Sequence, residues 1–189
     1  MNEIVFPAAI LQPPFFDAKA DPAINYGGIG AVIGHEISHH FDDQGAKYDE
    51  KGRLADWWTP QDVAAFEAAG KALVAQYDAY EVLPGEKLDG TFTLGENIGD
   101  LAGLTVAYDA YRAALGGKEA PVIDGMTGDQ RFFLGWAQVW RRNYRDQNLS
   151  ARITTDSHSP SIQRTWVSRN LGPWYKAFQV QKDQKLYLD

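Results

Sequence analysis

The apolar positions along the chain repeat at helical rather than strand spacing. Ile29, Ile33 and Ile37 fall on one stripe with Val32 beside them, which predicts a helix over about 29–41 entered through Gly27, Gly28 and Gly30. Val63, Phe66, Gly70, Leu73, Tyr77 and Tyr80 repeat the same way behind Thr59-Pro60, an N-cap followed by proline at the first helical position. A third helix, from about Glu96 to Leu115, buries Leu101, Leu104, Tyr108, Tyr111 and Leu115 and stops at Gly116-Gly117. Thr127 and Gln130 fit a capping box that opens a fourth helix reaching about Arg145. Its core side is aromatic: Phe132, Phe133, Trp136, Val139 and Trp140. Pro160 and Pro173 open two shorter helices.

Strand signals are few. Ile4-Val5-Phe6 is a short strand candidate closed by Pro7, and Pro13-Pro14 forbids helix after Ile10-Leu11. The segment from Asp42 to Asp56 is polar, with a turn at Asp49-Glu50-Lys51-Gly52. Pro84 to Thr93 is a loop with a strand at its end. There is no repeat, linker or low-complexity tract. The expectation is a mainly α (α+β) fold with a few short strands, forming one domain over 1–189.

Composition narrows the chemistry. The chain has 189 residues, 44% of them hydrophobic, which is enough for a sizeable core. It has no cysteine, which excludes a disulfide scaffold, a thiolate zinc site and a cysteine nucleophile. No apolar run approaches the ~20 residues that span a bilayer. A formal charge of −7 argues against nucleic acid as a partner.

Four histidines remain, and their placement is informative. His35-Glu36-Ile37-Ser38-His39 is an H-E-x-x-H motif on a helix whose existence the apolar spacing indicates independently. Histidines at i and i+4 share a face and can reach one zinc ion, with Glu36 beside them as general base. The bland alternative is two surface histidines on a core helix. A catalytic zinc needs a third protein ligand, and without cysteine that is His, Asp or Glu. Glu96 and Asp100, also i and i+4, face one way: one can bind metal while the other accepts a ligand histidine's second N–H. Alone, they read equally as acids favoured at a helix N-terminus. Asp42 can orient His39 in the same manner or simply be a polar helix end. His40 is rotated ~100° from His39 and off the ligand face. His158 and Arg164 suit a developing anion and a substrate carbonyl, although spacing alone leaves them as ordinary surface residues.

At this point the sequence resembles the neprilysin family of zinc metallopeptidases. The resemblance runs through Ile4-Val5-Phe6-Pro7-Ala8 and Ile10-Leu11-Gln12-Pro13-Pro14-Phe15-Phe16, then Asn25-Tyr26-Gly27-Gly28-Ile29-Gly30 into His35. It continues with Glu96-Asn97-Ile98-Gly99-Asp100, Gly128-Asp129-Gln130-Arg131-Phe132-Phe133 and Trp136-Ala137-Gln138-Val139-Trp140. It implies a zincin-like catalytic domain that holds one Zn2+ and cuts short peptides on the amino side of hydrophobic residues. By position, His35, His39 and Glu96 are ligands and Glu36 the base. Asp42 and Asp100 back the ligands, His158 steadies the oxyanion, and Arg164 holds a substrate carbonyl. Ile10, Phe15, Val32, Val139 and Trp140 resemble the lining of the pocket for the residue after the cut. A periplasmic or extracellular setting follows from the same resemblance.

The departures are specific. The family's Asn-Ala substrate-backbone motif and its long N-terminal region are absent, so the resemblance implies a piece of a longer chain. The alternative to an active peptidase is then a zinc-binding piece with little or no activity, whose uncovered apolar surface would allow self-association. Thr165-Trp166-Val167 replaces a usual Val-Asn-Gly, the chain ends at Leu186-Tyr187-Leu188-Asp189, short of the usual C-terminal segment, and Gly99 stands where alanine is common.

Overall fold

The computed structural model describes residues 3–188. Eight α-helices carry the fold among these residues: α1 (Pro22–Asn25), α2 (Ala31–Ser38), α3 (Pro60–Asp78), α4 (Leu94–Ala114), α5 (Gly128–Val139), α6 (Asp146–Thr155), α7 (Ser161–Thr165) and α8 (Gly172–Phe178). A two-stranded antiparallel hairpin, β1 (Glu81–Leu83) and β2 (Glu86–Lys87), is the one sheet among them. It turns at Pro84-Gly85, where Gly85 takes a positive φ of 79° that a side chain would disfavour. The strand signal in this region thus precedes the loop, where it was expected at the loop's end.

The predicted Thr127 capping box and the predicted Thr59 N-cap both form, the latter also as a capping box with Asp62. Thr59 Oγ1 accepts from the Asp62 N–H at the start of α3, and Thr127 Oγ1 accepts from the Gln130 N–H at the start of α5. Each supplies a partner to a backbone donor that the first turn of a helix leaves free.

The helix bearing the H-E-x-x-H motif is longer and less regular than its apolar spacing suggested. Residues 22–38 form one helical run in which Tyr26–Gly30 widens to a π-turn between α1 and α2. Within that turn the Ile29 N–H leaves the helix and donates to Phe15 O at 2.9 Å. Gly28 makes the approach feasible, since a Cβ there would lie 2.6 Å from the same oxygen. The π-turn therefore clips the Phe15 segment onto the side of the helix.

The predicted Ile29–Ile33–Ile37 stripe is not the buried face. Ile29 is buried, but Ile33 and Ile37 are 39% and 51% exposed, and Ala31, Val32, Gly34, His35 and Ser38 face inward. Backbone-to-backbone contact with α4 decides the face, and that needs small residues rather than large ones.

Two apolar clusters flank α4. Leu104, Ala107 and Tyr111 pack with Phe132, Phe133 and Trp136 of α5 and with Val167, Leu171 and Trp174. Nearer its N-terminus, Leu94 and Ile98 pack with Leu73 and Tyr77 of α3, Leu88 and Ile153. Helix α4 is thus a beam shared by both clusters, with Glu96 lying between its two residues of the second and Asp100 just beyond them. The fourth predicted helix ends at Val139, not Arg145, and α6 follows as a separate element. Residues 4–6, a strand candidate, lie outside any strand, with Val5 76% exposed and no strand partner beside it.

Candidate active site

Helices α2 and α4 cross at glycine. A Cβ at Gly34 would lie 2.8 Å from Gly103 Cα, so the two backbones touch there. This brings His35 and the start of the following turn against the first two turns of α4. His35 Nε2, His39 Nε2 and Glu96 Oε2 converge: Glu96 Oε2 is 3.1 Å from His35 Nε2 and 3.6 Å from His39 Nε2. The donor atoms of these three residues lie within 4.8 Å of one another, and the set of two imidazoles and one carboxylate matches what zinc takes in hydrolytic sites.

The inner nitrogen of each imidazole is held by a carboxylate. His35 Nδ1–H donates to Asp100 Oδ1 at 2.9 Å and His39 Nδ1–H to Asp42 Oδ2 at 2.7 Å. That fixes the tautomer that presents Nε2 to the centre. Asp42 is itself held by the N–H groups of Gln44 and Gly45 on its other oxygen. Asp100, almost wholly buried, accepts Arg164 Nε and Nη2 at 2.7 and 2.6 Å. Of the two carboxylates left open by spacing, Glu96 faces the centre and Asp100 stands behind His35.

The charges follow from these contacts. Burial opposes a proton on His35, but hydrogen bonds with Asp100 and Glu96 outweigh it and raise the pKa to about 9. The bond to Asp42 raises that of His39 against its partial burial. Burial pushes Glu96 up, and hydrogen bonds with His158 and His35 overcome it, holding the carboxylate well below its usual range. Burial likewise pushes Asp100 up, and the Arg164 charge with the bonds from Arg164 and His35 brings it below the ordinary value. The carboxylates of the metal-free site thus favour the protonated imidazoles, and a cation entering it competes with protons for the same nitrogens.

Glu36 projects from the exposed side of α2 and has no hydrogen-bond partner among the described residues. It lies where two hollows meet. One, of about 630 Å³, is open and polar and runs past His39, His40, Tyr48 and the Ile4-Val5 segment. The other, of about 140 Å³, is walled by Ile10, Phe15, Val32, Trp136 and Trp140, with His35 and Arg164 at its polar end. Four of the five apolar pocket residues expected from the sequence are on that wall. Val139 is half-buried against the main core and is not on it. Trp136 was missed as a pocket residue because its spacing marked it only as core.

His158 also reaches Glu96, with Nε2 3.0 Å from Glu96 Oε2 and Nδ1 2.9 Å from Asp156 Oδ1. Two residues that spacing did not single out place it there. Asp156 accepts both the His158 N–H and its ring, an Asx-type pattern visible in Asp-Ser-His. Asn97, 1% exposed, accepts from Ser159 Oγ at 2.8 Å and so ties this loop to α4. Arg164 packs its guanidinium 3.8 Å above the Trp140 ring, while Asp100 takes Nε and Nη2 and leaves Nη1 to the hollow. His40 turns away from the centre, its Nδ1 3.2 Å from Ile37 O.

A mainly helical fold presenting two histidines and a glutamate to one point, with a free carboxylate beside them, defines a zincin-like metallopeptidase catalytic fold. The model of Peptidase family M13 matches residues 1–189, and the chain belongs to that family. It is 44% identical to human neprilysin over 96% of its length and 47% identical to human endothelin-converting enzyme 1 over 85%. It superposes on the Mycobacterium tuberculosis zinc metalloprotease Zmp1 with a TM-score of 0.97, at 58% identity over the whole chain. The chain spans 25% of neprilysin, 21% of the converting enzyme and 30% of the Zmp1 chain. No helix among the described residues is long and apolar enough to cross a membrane.

Proposed function

We propose that this chain carries the zinc-dependent peptide-hydrolysing centre of its family, with His35, His39 and Glu96 as the metal ligands. The observation that supports it most directly is the convergence of those three donors beside an unpartnered Glu36. Bound there, zinc supplies a Lewis acid that polarises a peptide carbonyl and lowers the pKa of water.

The remaining work falls to the side chains. Glu36, standing between the two hollows, takes a proton from the attacking water and returns it to the leaving amine. Asp100 and Asp42 hold His35 and His39 in the ligating tautomer throughout. His158, steadied by Asp156, donates to the negative charge that develops on the carbonyl oxygen. Arg164, already anchored by Asp100 and Trp140, offers Nη1 to a carbonyl further along the peptide. The residue after the cut enters the smaller hollow, where Ile10, Phe15, Val32 and Trp140 favour a large apolar side chain by burial worth about 1.5–3 kcal/mol. The product is a shorter peptide with a new N-terminal hydrophobic residue.

The test is cleavage of a peptide series varied only at the residue after one bond, by the zinc-loaded chain and by Glu36→Gln. Cleavage before Leu or Phe and not before Asp is expected, with Glu36→Gln retaining zinc and losing turnover at least a hundredfold. Undiminished turnover in Glu36→Gln contradicts the mechanism.

A second reading has its own observation. Ile33 and Ile37 on the outer side of the motif helix and Phe41 in the turn after it are exposed, as is Trp57, whose ring meets Phe41 edge to face. Such a surface suits a piece that binds zinc normally but cuts slowly unless that face is covered. Stoichiometric zinc with negligible cleavage of every peptide selects this reading.

A further inference from the structure

The apolar walls of the smaller hollow are not equally free to move. Ile10, Phe15 and Trp140 are only partly buried, whereas Trp136 is 1% exposed. Its indole is held on several sides. The ring meets that of Trp140 edge to face, with centroids 5.3 Å apart. Its Nε1–H donates to Arg164 O at 3.2 Å. Helix α5 lies so close to the entry of the motif helix that a Cβ on Gly27 would fall 2.0 Å from Phe132 O and 3.2 Å from Trp136 N, which leaves the backbone under Trp136 no room to retreat. Arg164, whose carbonyl the indole holds, is itself fixed by Asp100 and lies 3.8 Å above the Trp140 ring. A side chain pressing on the indole has to shift a close-packed core and the backbone of Arg164 together.

We propose that Trp136 closes the floor of this hollow and so sets an upper limit on the residue after the cut: a single aromatic ring is admitted and a fused pair is refused. This rests on the peptidase reading. The hollow measures about 140 Å³, and an apolar cavity of about 150 Å³ holds one benzene ring. Leucine and phenylalanine fit within that space. The indole of a substrate tryptophan overfills it, and overpacking against a wall that cannot move is unfavourable. Phenylalanine in place of Trp136 takes one ring out of the floor, which is the room a second ring on the substrate needs. The partly buried walls can yield to a ligand, so trimming one of them widens the hollow without moving the limit.

The zinc-loaded Glu36→Gln chain, which leaves peptides uncut, is titrated calorimetrically with peptides that differ only in the residue after the bond: Ala, Leu, Phe or Trp. Affinity is expected to rise from Ala to Phe and to fall about tenfold or more from Phe to Trp. Adding Trp136→Phe is expected to abolish that fall, so that the Trp peptide binds at least as tightly as the Phe peptide, with zinc content unchanged. Adding Phe15→Leu instead is expected to leave the fall in place. Binding of none of the peptides overturns the peptidase reading and this inference together. Affinity that rises from Ala through Phe and on to Trp leaves that reading standing and overturns this inference alone, as does a fall that Trp136→Phe does not move. Trp136 also packs in the main core, so folding of the variant is followed by thermal unfolding, and Trp136→Tyr serves as a second variant. A shifted limit in whichever of the two folds supports the proposal. Failure of both to fold overturns it, because the ring then serves the core and not the hollow.

Discussion

The two histidines of the motif stand one helical turn apart and are held in opposite ways. His35 is buried, and everything that fixes it comes from distant sequence: Asp100 and Glu96 from α4, and through Asp100 the guanidinium of Arg164. His39 is half-exposed and fixed locally, by Asp42 three residues on, which is itself held by the N–H groups of Gln44 and Gly45. One proposed ligand is positioned only once the tertiary fold has formed. The other can be arranged by a single turn of chain. On the proposed reading the motif joins the stability of the fold to metal binding through His35 and leaves His39 comparatively free of it.

The sharpest way to break this contrast is to remove the two backing carboxylates in turn. Asp100→Ala strips His35 and leaves the Arg164 charge buried without its partner, so it should cost about 3–5 kcal/mol in denaturant unfolding of the metal-free chain. Asp42→Ala removes a less buried, local contact and should cost about 2 kcal/mol or less in the same measurement. Yet Asp42→Ala should weaken zinc about 10–100-fold, because the tautomer of His39 is no longer set. Equal losses of stability from the two substitutions would erase the distinction.

The pH dependence sharpens it further. His35 rises from an ordinary 6.5 to about 9 in the folded, metal-free chain. A proton bound more tightly in the fold stabilises it fully below about pH 6.5, and that stabilisation disappears as pH rises through about 9. The metal-free chain should therefore lose stability between those limits, and His35→Ala should flatten that slope. Zinc affinity should move the opposite way, strengthening as pH rises, because the imidazoles must release protons to bind. A calorimetric count of released protons that falls from pH 6 to pH 9 checks the sign.

What could be read from the sequence follows the same divide. The pairing of His35 with His39 was legible because 3.6-residue spacing alone places them on one face. The Thr127 cap was legible because its partner Gln130 lies three residues away, and the Thr59 cap because Pro60 follows it. Glu96 and Asp100 could be paired as neighbours on a helix, but which one faced the centre depended on the crossing of α2 and α4. That crossing is made by Gly34 and Gly103, and no hydrophobic pattern announces a contact between glycines. For the same reason the isoleucine stripe pointed to the wrong face of the motif helix. The early end of α5 escaped notice because Arg141-Arg142-Asn143-Tyr144-Arg145 contains neither glycine nor proline to mark it. Asn97 and Asp156, which seat His158, act on a residue from another loop and through a turn, where side-chain periodicity has nothing to report.

Three imidazoles compete for the role of metal ligand, since His158 touches the same Glu96 oxygen as His35 does and His39 lies 3.6 Å from it. Zinc titration of the metal-free chain and four single variants tests this most directly. One zinc per chain is predicted, with affinity lost at least a hundredfold in His39→Ala and Glu96→Ala and retained within a few-fold in His158→Ala and His40→Ala. Loss of zinc in His158→Ala with retention in His39→Ala would contradict the assignment.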